Sequence, residues 1–215
     1  MSVQNIIDKA QQIEIDRRRI VGQTISRSQR IKTAERSTAQ PWRFKITPPG
    51  SLPWTASRGF MEVINLNDRV GEYTIKLSNT SGMNYITAYM GELTQNQLNN
   101  LEIQAVNTNS LVITTLPSVS SGTVIFARGD IIQPENSRYP YTVAETVTRG
   151  LSTTTSVTLH RPIITSEGVS LVGQGLAVGN SCTWRVVVTG MPSYQLIPMQ
   201  QVQYTGDFEL IEKVI

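Results

Sequence analysis

The chain has 215 residues, 39% hydrophobic and only 16% charged, against about a quarter charged in ordinary globular domains. That is enough for a sizeable core in one large or two small domains. Its net charge of +3 is uneven: residues 1–50 hold ten Lys or Arg and four Asp or Glu (net +6), and the other 165 hold nine and twelve (net −3). A single cysteine, Cys182, excludes an internal disulfide and a thiol metal cluster; no run approaches the roughly 20 apolar residues of a membrane span, and no signal-like N-terminal run is seen, so a soluble, unexported chain is expected.

Residues 1–40 differ in kind from the rest. Val3, Ile6, Ile7, Ala10 and Ile13, with Ile20 a heptad further, predict an amphipathic helix from about Val3 to Ile20. Asp8 lies toward its start and Arg17-Arg18-Arg19 near its end, the favourable order for the helix dipole. After Gly22, Thr24 to Thr33 reads as strand or extended arm. Few large apolar side chains occur there, so the segment is expected to order against a partner. Its cations, Arg17, Arg18, Arg19, Arg27, Arg30, Lys32 and Arg36, form the candidate interface. A protein neighbour is favoured over nucleic acid, because no aromatic residue for base stacking precedes Trp42.

From Pro41 the pattern becomes β. Trp42 to Ile46 alternates apolar and basic side chains, Gly59–Asn65 and Gly71–Leu77 read as a hairpin, and Met83–Gly91 alternates again. Thr94–Leu101 reads as a short helix capped by Thr94. Strands at Leu101–Val106 and Ser110–Leu116 follow, around Asn107-Thr108-Asn109.

The strip Thr123 to Ile163 predicts four short strands: Val124–Phe126, Ile131–Gln133, Tyr141–Thr146 and Ser156–His160. Gly129-Asp130, Pro134 to Ser137 and Arg149-Gly150 are its turns. Its alternating large residues suit a small barrel-like module. Beyond the glycine-rich run Gly168–Asn180, strands are expected at Thr183–Thr189 and from near Val202 through Asp207–Ile211. The fold class is mainly antiparallel β, a sandwich or barrel, because strands and helices do not alternate. Three parts are expected: a partly helical arm over 1–40, a main β-domain over 41–122 and 164–215, and the module over 123–163, either inserted in that domain or following it.

Chemistry-bearing patterns are weak throughout. Gly173-Gln174-Gly175 with Gly179 lacks the dinucleotide spacing and a following helix. His160 is the only histidine, no nucleophile elbow accompanies it, and no metal-ligand spacing is present. Arg128-Gly129-Asp130 reads as a tight turn between strands. Asn79-Thr80-Ser81 fits a glycosylation sequon without a secretory context. Glu62, Asp68, Glu92 and Asp130 could serve an enzyme only if folding gathered them, and no local spacing suggests it. No catalytic, cofactor-binding or metal-binding residue is expected, and no cofactor.

Three segments resemble small β-rich structural proteins of bacteriophage tails, especially baseplate, tail-tube-initiator and distal-tail components. They are Pro41–Pro48 with Ser57-Arg58-Gly59; Arg128–Gln133 with Tyr139–Val143 and His160-Arg161-Pro162; and Cys182–Val188 with Gly206–Glu212. The resemblance implies a non-enzymatic subunit that forms a homo-oligomeric ring at the tube–baseplate or tail-tip junction. It further implies contacts with tube, hub or baseplate proteins and a place in the virion after assembly in the host cytoplasm. Composition agrees: 19 Ser, 24 Thr, 12 Asn and 15 Gln fill the charge deficit, as suits a surface covered by neighbours. The competing reading is a carbohydrate- or nucleic-acid-binding β-module that stacks its ligand on Trp42, Trp54, Tyr139 and Tyr141.

Overall fold

Alternation overrides helical spacing at the N-terminus. The structure is a computed structural model and describes residues 3–18, 21–25, 31–35, 40–67, 69–77, 82–165 and 168–214. Val3, Ile6, Ile7 and Ala10 are buried, as a helix face would be, but the helix α1 spans only Gln4–Asp8. Beyond it Gln12-Ile13-Glu14-Ile15-Asp16 alternates polar and apolar with period two, the signature of a half-buried strand. It forms β1 (Gln12–Asp16), pairing Ile13 with Ile46 and Ile15 with Phe44. The expected helix to Ile20 therefore stops at Asp8.

The remaining strands, in chain order, begin with β2 (Val21–Ile25), β3 (Ile31–Glu35), β4 (Arg43–Thr47), β5 (Ser51–Pro53) and β6 (Glu72–Ile75). Then come β7 (Glu102–Val106), β8 (Ser110–Thr114), β9 (Val124–Phe126), β10 (Ile131–Pro134), β11 (Tyr141–Thr142), β12 (Val147–Thr148), β13 (Thr155–Thr158) and β14 (Leu176–Val178). The last four are β15 (Trp184–Gly190), β16 (Ser193–Ile197), β17 (Gln201–Thr205) and β18 (Phe208–Glu212). Every pairing among them is antiparallel. The protein is mainly antiparallel β, as its patterning predicts, and its sheets do not close into a barrel among the described residues.

The main sheet has the order β1-β4-β18-β15-β6. Phe44, Ile46, Ile75, Trp184, Val186, Phe208 and Leu210 point to its inner face and are buried. Fully burying each such side chain contributes roughly 1.5–3 kcal/mol. Helix α2 (Trp54–Leu66) and α1 cover that face together with the small sheet β16-β17-β5. A second core is built from three small sheets, β13-β8-β7, β11-β10-β14 and β12-β9, and its buried residues run from Leu93 to Val178. It thus draws on more chain than the 123–163 strip. It is an insertion: the chain leaves the main sheet after β6 and returns at β15, where Trp184 pairs with Ile75.

Three expectations for local structure are corrected. Gly59–Asn65 is not a strand and forms no hairpin with β6; it lies within α2. Ser57, Phe60, Met61 and Ile64 recur at helical spacing; the first three are buried and Ile64 packs against the same core. The helix starts directly after Pro53 and ends at Asn67, which takes the left-handed conformation (φ 46°). Met83–Gly91 is a 3-10 turn (Asn84–Ile86) followed by loop. In the C-terminal stretch β17 and β18 are separate strands, divided at Gly206 (φ 94°), and β16 was not anticipated. Thr94 behaves as expected: it caps helix α3 (Gln95–Leu98) in a full capping box with Gln97.

Candidate interaction surface

The basic segment leaves the body after β1 and rejoins it at β4. Those strands are neighbours, and Asp16 and Arg43 are register partners, so the excursion has both ends side by side. Within it β2 and β3 pair through five registers, from Val21↔Glu35 to Ile25↔Ile31. Among the described residues this hairpin joins no other sheet. Ile25, near its tip, is 71% exposed.

Of the seven candidate cations, Arg17 and Arg18 have described side chains, and they meet different partners. Arg17, though exposed, reaches back to the body: it donates through Nη1 to Thr142 Oγ1, and its guanidinium stands 5.3 Å from the Trp42 ring. It ties the end of β1 to the second core. Arg18 is exposed but pairs with Asp16 at 3.0 Å, and the hydrogen bond from Arg18 holds the Asp16 carboxyl at about 2. Lys32 lies on β3 opposite Thr24. Arg19, Arg27, Arg30 and Arg36 fall outside the described residues.

Asp130, His160, Cys182 and Glu92 are held in the fold by their surroundings. Asp130 is buried; its carboxylate accepts from Met90 N at 2.9 Å and Ala127 N at 2.8 Å. Arg128-Gly129-Asp130 is accordingly a tight turn, with Gly129 at φ 101° and the aspartate turned inward. The Nδ1 of His160 accepts from Thr142 N at 2.9 Å, and its ring meets the edge of Trp42 at 5.6 Å. Cys182 is buried, and burial pushes its thiol up to about 12. Glu92 accepts from Val124 N at 2.8 Å. Asp68 and Asn79-Thr80-Ser81 lie outside the described residues. Of the aromatics that could stack a ligand, Trp42, Tyr139 and Tyr141 are buried and Trp54 is 39% exposed. No group of three or more His, Cys, Asp or Glu able to hold a metal occurs among the described residues. None of their helices is long and apolar enough to cross a membrane.

One buried ion pair joins the two cores. Arg161, just past β13, meets Glu212 on β18 through both nitrogens of its fork, at 2.5 and 2.7 Å. Both side chains are at most 3% exposed. Arg161 also donates to Gln40 O and Pro140 O, and Glu212 accepts from Trp42 N at 3.0 Å. The pair, missed in the sequence, fixes the second core against the end of the main sheet from which the arm departs.

The outer face of the main sheet is charged but balanced. Cross-strand registers set Glu14 beside Lys45 and Lys45 beside Glu209, with Asp16 beside Arg43. They line an open groove of about 380 Å³, and Lys45 pairs with Asp207 at 3.2 Å. Alternating signs of this kind suit a matched protein surface better than a polyanion. No protein-family model matches the chain, and no curated protein matches it.

Proposed function

We propose that this chain is a non-enzymatic structural subunit of a bacteriophage tail, repeated in a ring at the tube–baseplate or tail-tip junction. The observation that carries the reading is the β2–β3 hairpin, whose strands pair with each other and with no other strand among the described residues. A two-stranded ribbon is marginal alone and needs a further surface for stability, which a neighbouring subunit supplies. Residues 3–16 belong to the body, so the reaching element is the excursion between β1 and β4, narrower than the first 40 residues. The segments that resemble tail proteins lie on the main sheet, on α2 and on the second core. The strand edges of β6 and β16 are further faces that a closed ring would cover.

Burial of Trp42, Tyr139 and Tyr141 weighs against the ligand-stacking alternative. The test uses the adjacency of Asp16 and Arg43. Replacing residues 19–39 by a short Gly-Ser bridge leaves the circular dichroism of the body intact and abolishes ring formation and incorporation into tails. Normal assembly by the excised protein would refute the role of the hairpin. Salt-sensitive retention on DNA or heparin, with a solitary monomer on sizing, would replace the reading with a binding module.

A further inference from the structure

We infer that β16 is the edge on which a second copy of this chain docks, strand against strand and antiparallel across a two-fold axis. β16 is the outer strand of the sheet β16-β17-β5. Its five residues, Ser193–Ile197, pair in unbroken register with β17, and among the described residues no strand lies on its other side. Natural sheets blunt such an edge with charges, prolines or bulges. Here the register has no bulge, and residues 186–206 contain no Asp, Glu, Lys or Arg. Pro192 and Pro198 stand just outside the strand and, having no N–H to donate, confine a ladder to the residues between them.

The side chains show what the edge lacks. Leu196 is the register partner of Val202, yet Leu196 is 62% exposed while Val202 is fully buried. The core-facing side of this sheet therefore runs out one strand before its apolar residues do. Tyr194 lies two residues earlier, on the same face, and packs against the main core. Beyond the strand Met199, 90% exposed, stands in a turn where it and Gln200 take positive φ, 67° and 57°. Non-glycine residues hold that conformation at a cost, and Trp54 N fixes the turn by donating to Gln200 O at 2.7 Å.

These features select a second copy as the occupant. Antiparallel pairing over the whole strand centres on Gln195, which meets its own counterpart, and sets Leu196 of each copy opposite Tyr194 of the other. The exposed leucine is then covered by an aromatic ring, a favourable cross-strand pair. Charge agrees: an uncharged strand that meets itself sets no like charges opposite each other, whereas a charged partner finds no counter-charge along it. Leu196, Ile197 and Met199 offer on the order of a few hundred Å² of apolar surface, the size of a functional patch. That is short of the roughly 800 Å² per partner of a standard stable complex, so the contact is weak and reversible. It is isologous and closes on two copies. It is therefore separate from the contact of the arm, and the inference stands whether or not the chain belongs to a tail ring.

The test follows the mass of the full chain by sedimentation, from about 1 µM to about 1 mM. A twofold step in mass is expected, monomer to dimer or ring to paired ring, with a midpoint on the order of 100 µM. Gln195 is exposed, so a charge there is expected to leave the fold unchanged. Gln195→Lys and Gln195→Glu each set like charges against one another across the axis and should weaken the step about tenfold. An equimolar mixture of the two variants should regain it, because unlike charges then face each other. A wild type that never doubles, variants that double as the wild type does, or a mixture that fails to recover would overturn the inference. Rings without doubling would overturn it and leave the tail reading intact; doubling without rings would support it and remove the ring.

Discussion

At the scale of single residues, Arg161 and Glu212 carry the strongest expectation. Removing one member strands the other charge in the interior, which costs about 3–5 kcal/mol, whereas replacing both by apolar residues of similar volume is often near neutral. Arg161→Ala should therefore lower denaturant stability by about that amount, and the double variant Arg161→Met, Glu212→Leu should regain most of it. A double-mutant cycle in urea, with tryptophan fluorescence and circular dichroism each fitted separately, checks this; an Arg161→Ala loss under about 1 kcal/mol in both would show that the pair is not desolvated as its burial implies. Acid behaviour follows from Asp16 and Asp207. The Arg18 hydrogen bond depresses the Asp16 pKa, and the Thr47 hydroxyl, then Lys45, depress that of Asp207. A folded-state pKa below the unfolded one gives stability that is present above the ordinary value of 3.8 and lost as pH falls toward about 2. Asp130 acts oppositely: burial raises its pKa, so its share of stability grows as pH falls. Thermal midpoints across that window should fall for the wild type and fall less steeply for Asp207→Asn.

Among elements, legibility followed the range of the physical signal. The cap on α3 is a local device, Thr94 and Gln97 three residues apart, and it could be read directly. Thr94→Ala should cost about 1 kcal/mol, measured as a shift in denaturation midpoint with unchanged slope. Strands such as β7, β8 and β15 announced themselves by alternation. Helix α2 did not, because Gly59 and the β-branched Val63 and Ile64 resemble strand composition, and only the spacing of Ser57, Phe60, Met61 and Ile64 betrays a helix. Tertiary contact settles it: Phe60 packs on Tyr204 at 5.8 Å and Phe208 at 6.3 Å. Phe60→Ala should cost about 3–5 kcal/mol; a loss below 1 kcal/mol would mean that α2 is peripheral. The bond from Thr183 N to the Gln133 side chain at 2.8 Å and the Arg161–Glu212 pair each unite residues from separate parts of the chain. Periodicity tells which face a residue occupies, not which distant residue it will meet, so neither was legible.

For the whole molecule, both excursions depart from one end of the main sheet. The chain leaves and returns at Asp16↔Arg43 for the arm and at Ile75↔Trp184 for the second core. The three tryptophans, Trp42, Trp54 and Trp184, all belong to the main-sheet unit, so their fluorescence reports that unit while circular dichroism reports both. With Arg161 paired to Glu212 the two signals should trace one coincident urea transition. In Arg161→Ala they should separate, the second core melting by itself. Coincident curves in the variant would show that the cores are coupled by the rest of their contact, without need of the ion pair.

The side-by-side roots of the arm have a consequence for cleavage. A protease that cuts the chain once between β2 and β3 leaves each strand still covalently joined to the body, with their pairing holding the severed pieces in register. Such damage would pass unseen in a native gel and show as two fragments only after denaturation. Strands paired this way keep their register after a single scission.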